Sequence, residues 1–251
     1  MKKTLIALIA MVGAASAEIT DGLQWAESVT GGLQKTSTFT INEYFDFSTP
    51  GVFVADAGNR AYSTNLGGKF TNAFTLSFKL IDFDANNWED AVSLYSNGIT
   101  HGTNNSIQVQ KNSSGELMVY TENFSGSNVA GDASNINLGK LDNLEGKVLT
   151  LVFDGTGATK TLTAYVNGVA NADTVTFTYA DTVTPSTALT GFQFGTAFGG
   201  QRTANSVKLD DLALWSRALS AAEVATLVPE PTTATLSLLA LCGLAARRRR
   251  K

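Results

Sequence analysis

The strongest constraint in this chain is an alternation of apolar and polar residues with a period of two. Phe74-Thr75-Leu76-Ser77-Phe78-Lys79-Leu80 places Phe74, Leu76, Phe78 and Leu80 on one side of an extended backbone and the polar residues on the other. Such a segment predicts a half-buried strand. Leu149, Leu151 and Phe153 repeat the pattern, as do Leu162, Ala164 and Val166, with turn-forming Gly and Asn between the segments. Asn167-Gly168, between Tyr165-Val166 and Val169, predicts a two-residue hairpin turn, because both residues accept positive φ. Only Ser220 to Leu227 reads as helix, with Ser220 as cap and Glu223 three residues on completing a capping box. Many strands and one short helix predict an all-β, two-sheet antiparallel sandwich.

The ends of the chain predict its compartment. Lys2 and Lys3 precede an apolar stretch from Leu5 to Gly13, and small residues Ala15-Ser16-Ala17 close it. This is the layout of a secretory signal peptide, residues 1–17, cut by signal peptidase after Ala17. No polar side chain stands between Leu5 and Ala15, so a buried amphipathic helix fits poorly. At the other end, Pro229-Glu230-Pro231 is followed by an uncharged apolar segment, 232–246, and by Arg247, Arg248, Arg249, Arg250 and Lys251. Crossing ~30 Å of hydrocarbon takes about 20 helical residues, so this span is short unless the arginine stems lengthen it. The cations orient the span with its basic end in the cytoplasm, and the prolines keep the helix from extending backwards.

Those tail residues resemble the PEP-CTERM sorting signal of Gram-negative bacteria that make exopolysaccharide. The resemblance covers residues 229–251 and implies recognition by an exosortase-like enzyme that removes the membrane helix. An uncut tail anchor is the alternative. Either way the expected location is the cell envelope, the cell surface or an extracellular matrix.

Between the two ends lies one domain, 18–228, a length that suits a single large β fold. The formal net charge is −4, but the signal holds two cations and the tail five cations and one anion. Residues 18–228 therefore carry 11 Lys and Arg against 21 Asp and Glu. So acidic a domain repels phosphate backbones, which argues against nucleic acid as a partner. The single cysteine, Cys242, lies in the apolar tail, so disulfides cannot stabilise the domain.

Phe74–Leu80, Leu149–Gly155 and Leu162–Gly168 stand in the order and spacing of a laminin G-like jelly roll. The run Leu209-Asp210-Asp211-Leu212-Ala213-Leu214-Trp215-Ser216-Arg217, continuing to Val224, is similar to the closing strand and short helix of concanavalin A-like domains. Bacterial members often carry Trp-His-His before the second segment, where this chain has Glu145-Gly146-Lys147-Val148. The resemblance implies a concanavalin A-like jelly roll over 18–228, a fold shared by lectins, adhesion modules and glycoside hydrolases, so residues must decide the function.

Hydrolysis of a glycosidic bond needs two facing carboxylates. The Glu-x-Asp-x-x-Glu motif usual in hydrolases of this superfamily is absent. Glu89 and Asp90 are adjacent and would point to opposite faces of a strand, and His101, the only histidine, has no evident partner. No catalytic residue is assigned and a non-enzyme is expected. Calcium takes six to eight oxygen ligands, and Asp82-Phe83-Asp84-Ala85-Asn86-Asn87 offers four such side chains, with Asp82 and Asp84 as the metal candidates. Turn chemistry alone also explains an Asp/Asn cluster. A sugar ring stacks on aromatic side chains, which makes Trp88, Tyr95 and Tyr120 the ligand candidates and Tyr165 a further one, although each also suits a core or strand pair. Trp215, between apolar neighbours, reads as core. The expectation is a surface-displayed, non-enzymatic module that binds polysaccharide or a surface protein. The alternatives are a glycan-cleaving hydrolase and a structural matrix or coat component.

Overall fold

The computed structural model describes residues 19, 21–26, 53–56, 61–63, 73–95, 106–122, 134–157, 160–173, 175–177, 191–194, 196–197 and 202–228. Their strands are β1 (Leu23–Ala26), β2 (Phe53–Asp56), β3 (Ala61–Ser63), β4 (Ala73–Asp84), β5 (Asp90–Tyr95), β6 (Ser106–Lys111), β7 (Glu116–Glu122) and β8 (Ser134–Lys140). There follow β9 (Val148–Asp154), β10 (Lys160–Val166), β11 (Val169–Ala170), β12 (Val175–Phe177), β13 (Gly191–Phe194), β14 (Thr196–Ala197), β15 (Arg202–Thr203) and β16 (Ser206–Trp215). One helix, α1 (Ala221–Thr226), closes the described residues. None of their helices is long and apolar enough to cross a membrane. The expected signal segment, 1–17, and the tail helix, about 232–246, lie outside the described residues.

The strands form two sheets. In the first the order is β1-β16-β4-β9-β10-β11, with β2 also on β16 and β12 also on β10. The second runs β14-β15-β5-β6-β7-β8, with β13 joining β5 to β3. Every pairing is antiparallel except β15 with β5, as expected of a jelly-roll sandwich. The alternating residues close the core between the sheets. Phe74, Leu76, Phe78 and Leu80 of β4 meet Val92 and Leu94 of β5, Ile107 and Val109 of β6 and Val119 of β7 in one buried cluster. Burying each such side chain contributes roughly 1.5–3 kcal/mol. Phe74 and Phe153 stack across β4 and β9 with ring centroids 5.5 Å apart.

Asn167 and Gly168 take φ of +48° and +73°, and Val166 pairs with Val169 across them, as the hairpin signal requires. The Asn167 side chain accepts the Val148 amide at 2.8 Å, tying this turn to the start of β9. Ser220 and Glu223 form the expected capping box. One expectation is corrected. The polar side of β4 is not exposed, since Thr75 and Ser77 are both buried. A second apolar cluster, made by Leu23, Val152, Tyr165, Ala213, Trp215, Leu219 and Val224, closes over that side.

Candidate functional site

The two outer faces of the sandwich have opposite chemistry. On the first sheet the segment after β16 folds back as a strap. Thr75 Oγ1 donates to the Arg217 carbonyl and accepts the Leu219 amide, both at 2.9 Å. Trp215 Nε1 donates to the Ile19 carbonyl at 2.8 Å, and Arg217 Nε donates to the Asp21 carbonyl at the same distance. The Arg217 guanidinium grips both Glu223 carboxylate oxygens, at 3.1 and 2.6 Å. That hydrogen bonding, helped by Ser220, pulls the Glu223 carboxyl down to about 2. Among the described residues, apolar packing closes over this part of the face.

The outer face of the second sheet is polar. In β6, Ile107 and Val109 point to the core, so Ser106, Gln108 and Gln110 point away from it. Strand register extends these positions into a row across the sheet. Tyr62 lies opposite Gln193, Gln193 opposite Ser93, Ser93 opposite Gln108, Gln108 opposite Tyr120, and Tyr120 opposite Asn135. A neighbouring row sets Asp90, Gln110, Met118 and Asn137 side by side. The face deepens from β8 towards β5. Asn135 is exposed, Tyr120 and Met118 are half-buried, and Gln108, Gln110, Ser93 and Asp90 are buried.

Gln108 stands at the floor of this face, with no exposed surface. Its Nε2 donates to Ser106 Oγ at 2.7 Å, while its Oε1 accepts no hydrogen bond. An orphaned buried acceptor costs about 1–3 kcal/mol, which makes Gln108 an unfilled valence in the fold. Glu116 lies at the β8 end of the same face. Its carboxylate accepts from Asn112 at 3.0 Å and Asn137 at 3.2 Å, with Lys140 Nζ at 3.7 Å. The Asn112 bond, with Lys140 and Asn137 behind it, holds this carboxyl below its ordinary range.

Tyr120 occupies the central row, and Tyr95 stands opposite Ser106 on β5. Trp88 lies in the turn entering β5, 48% exposed and at φ +68°, a conformation that side chains other than glycine rarely take. That turn is tightly fixed. Trp88 N donates to the Lys111 carbonyl at 2.6 Å, Lys111 Nζ donates to the Ala85 carbonyl at 2.5 Å, and the Glu89 carboxylate accepts the Asn86 amide and side chain at 2.5 and 3.0 Å.

Asp82 and Asp84 lie elsewhere, on β4 of the first sheet. Asp82 is ion-paired to Lys208 at 2.9 Å, and among the described residues no group of three acidic, His or Cys side chains gathers to hold a metal. Glu89 and Asp90 do diverge as expected: Glu89 caps its own turn while Asp90 is buried at the start of β5. Trp215 and Tyr165 are core residues of the second cluster. His101, Ala17, Pro229, Glu230, Pro231, Arg247, Arg248, Arg249 and Arg250 lie outside the described residues. Sequence reasoning missed Ser93, Gln108, Gln110 and Asn135. The signal was present in Ser106-Ile107-Gln108-Val109-Gln110, an alternation whose polar half repeats amides.

The family model for the concanavalin A-like lectin/glucanases superfamily matches residues 56–225, more than half of the chain. No curated protein sequence matches. Trypanosoma rangeli sialidase in complex with sialic acid is similar with a TM-score of 0.60 and 16% identity, over 82% of this chain and 32% of that one. The binding domain of botulinum neurotoxin DC in complex with SialylT is similar with a TM-score of 0.52 and 13% identity, over 82% of this chain and 51% of that one. The binding domain of Paraclostridial Mosquitocidal Protein 1 gives 0.52 and 14%, with 82% and 51% covered. This chain thus spans between a third and a half of those structures. Identities so low establish the fold alone, and the fold is shared by binding domains and by sialidases.

Proposed function

The chain belongs to the concanavalin A-like lectin/glucanases superfamily, and from that premise we propose that it is an exported carbohydrate-binding module whose ligand lies on the outer face of the second sheet. One observation carries the reading: Tyr120, half-buried, stands opposite the exposed amide residue Asn135 in a cross-strand row. A pyranose ring offers apolar C–H faces that stack on a tyrosine, and hydroxyls that pair with amides. Cross-strand neighbours lie about 4.5–5.5 Å apart, within reach of one sugar ring. Trp88, exposed, lies in the turn at the far end of β6. It sits beside Lys111, about 10 Å along the strand from Gln108 at ~3.3 Å per residue.

A second reading, a glycan-cleaving hydrolase, draws on Asp90, a buried carboxyl on the same face beside Gln110, and on sialidases among the similar structures. Against it, the chain lacks the Glu-x-Asp-x-x-Glu motif usual in hydrolases of this superfamily. The two readings part on a glycan array run with and without calcium, followed by mass spectrometry of the products. Retention without chain shortening supports the module; shortening supports the hydrolase. Silence on every glycan favours a structural matrix or coat component.

Signal peptidase would release the chain after Ala17, and an exosortase-like enzyme acting at Pro229-Glu230-Pro231 would free it from its membrane helix to the surface or matrix. Tags on both sides of Pro229 test this. Loss of the cationic end from the surface form supports processing, and retention of both tags supports a standing anchor.

A further inference from the structure

We propose that the end of the sandwich built by the Asn167-Gly168 turn and α1 rests on a lipid bilayer while the tail is in place, with Val169 meeting the lipid surface. The inference rests on the reading of 232–246 as a membrane span and adds to it the orientation of the domain.

Chain length carries the first part. Leu227 caps α1, its amide donating to the Val224 carbonyl at 3.1 Å, and Val228 after it is half-buried. This end of the helix is fitted against Gly168, at φ +73°: a methyl group added there would stand 3.1 Å from Ala225 Cα and 3.2 Å from Val228 Cγ2. The chain is thus held to the domain as far as Val228, and only Pro229, Glu230 and Pro231 separate that residue from the apolar segment. Four Cα–Cα steps of ~3.8 Å, from Val228 to Thr232, reach at most about 15 Å. A domain as long as 18–228 has a radius of gyration of about 17 Å. So short a leash fixes which end of the domain faces the bilayer.

Surface chemistry carries the second part. Val169, next to Gly168 at the tip of the turn, is 71% exposed, more open than Trp88. The other exposed residues of the turn and the helix, Asn167, Ala170, Ala221, Ala222, Ala225 and Thr226, carry no charge. The acid of α1, Glu223, is held by the Arg217 guanidinium at 2.6 Å. Elsewhere the domain is strongly acidic, and an anionic bilayer surface repels acidic groups within a Debye length. The uncharged end is therefore the one that approaches lipid at least cost, and an exposed valine there gains by leaving water. Because α1 packs on the outer side of the first sheet, the polar outer face of the second sheet lies across the sandwich from it and is not the side held to the lipid.

The test uses the full chain, with Cys242→Ala, in vesicles of phosphatidylethanolamine and phosphatidylglycerol that include a lipid bearing a nitroxide on its headgroup. A fluorophore is attached at Val169→Cys or, as reference, at Thr156→Cys. Thr156 is exposed in the turn at the other end of β9 and β10, about 20 Å away along the strands at ~3.3 Å per residue. Loss of most of the fluorescence from the first label, with little change in the second, is the expected result. Quenching of neither label, of both equally or more of the second overturns the orientation, and flotation with the vesicles then leaves the membrane reading standing. A chain that does not float with them removes both. Inserting about 20 Gly and Ser residues between Val228 and Pro229 lengthens the leash by roughly 25 Å and is expected to abolish the difference between the labels. A difference that survives the insertion overturns the short leash as its cause.

Discussion

At the scale of single residues, Trp88 is a position where stability and the proposed glycan binding can be separated. Its left-handed backbone costs on the order of 1 kcal/mol or more in a residue other than glycine, and its ring is half exposed, so the fold gains little from it. Trp88→Gly is expected to keep or slightly raise the melting temperature while weakening glycan binding by about 0.5–1.5 kcal/mol, the worth of a stacking contact. Calorimetry and a binding titration on the same sample check both halves. Asp211 gives a second test. It takes φ +50° at a bulge in β16, and burial, with Asp210 beside it, raises its carboxyl above the ordinary value of 3.8. A raised carboxyl favours the fold while protonated and loses that advantage as pH rises through its folded value. Asp211→Asn, which tolerates the left-handed backbone, is therefore expected to melt about 1–2 °C higher at neutral pH, with the gain vanishing below pH 3.8. Trp88 and Tyr120 were legible as ligand candidates because exposed or strand-borne aromatics announce themselves. Gln108 was not, because a lone glutamine looks the same whether it faces solvent or a closed floor.

Individual elements show where local signals suffice. Strands β4, β9 and β10 and the Asn167-Gly168 turn are written in neighbouring residues, and so is α1 with its capping box. What neighbours do not write is the partner of each strand. The row from Ser93 through Gln108 and Tyr120 to Asn135 needs four strands in register, and β13 inserts Gln193 from about 100 residues away along the chain. The burial of Thr75 under the strap is unreadable for the same reason: it depends on a contact with Leu219. For α1, Ser220→Ala removes the cap and is expected to cost about 1 kcal/mol, seen as a melting temperature lower by roughly 2–4 °C. Glu223, held down to about 2 chiefly by Arg217, stabilises the strap fully above its ordinary value of 4.5 and loses that contribution as pH falls towards 2. Comparing the melting temperatures of the parent protein and Glu223→Gln across this window should show a gap at neutral pH that closes with acid.

For the whole molecule, the two outer faces of the sandwich differ in chemistry. The first sheet uses its outer side for stability, with Trp215, Leu219 and Val224 packed over it and Arg217 joining Asp21 to Glu223. The second keeps amides, hydroxyls and a tyrosine at the same structural level, which a sheet built only for stability would replace with apolar residues. The central claim is that this polar face holds the glycan. It is tested most directly by amide chemical-shift mapping of the protein as an array-selected oligosaccharide is added. Shifts concentrated on β5, β6, β7 and β8, around Ser93, Gln108, Tyr120 and Asn135, are the predicted result. Shifts confined to α1 or to the Asp82–Asp84 end of β4, with the second sheet silent, would contradict it.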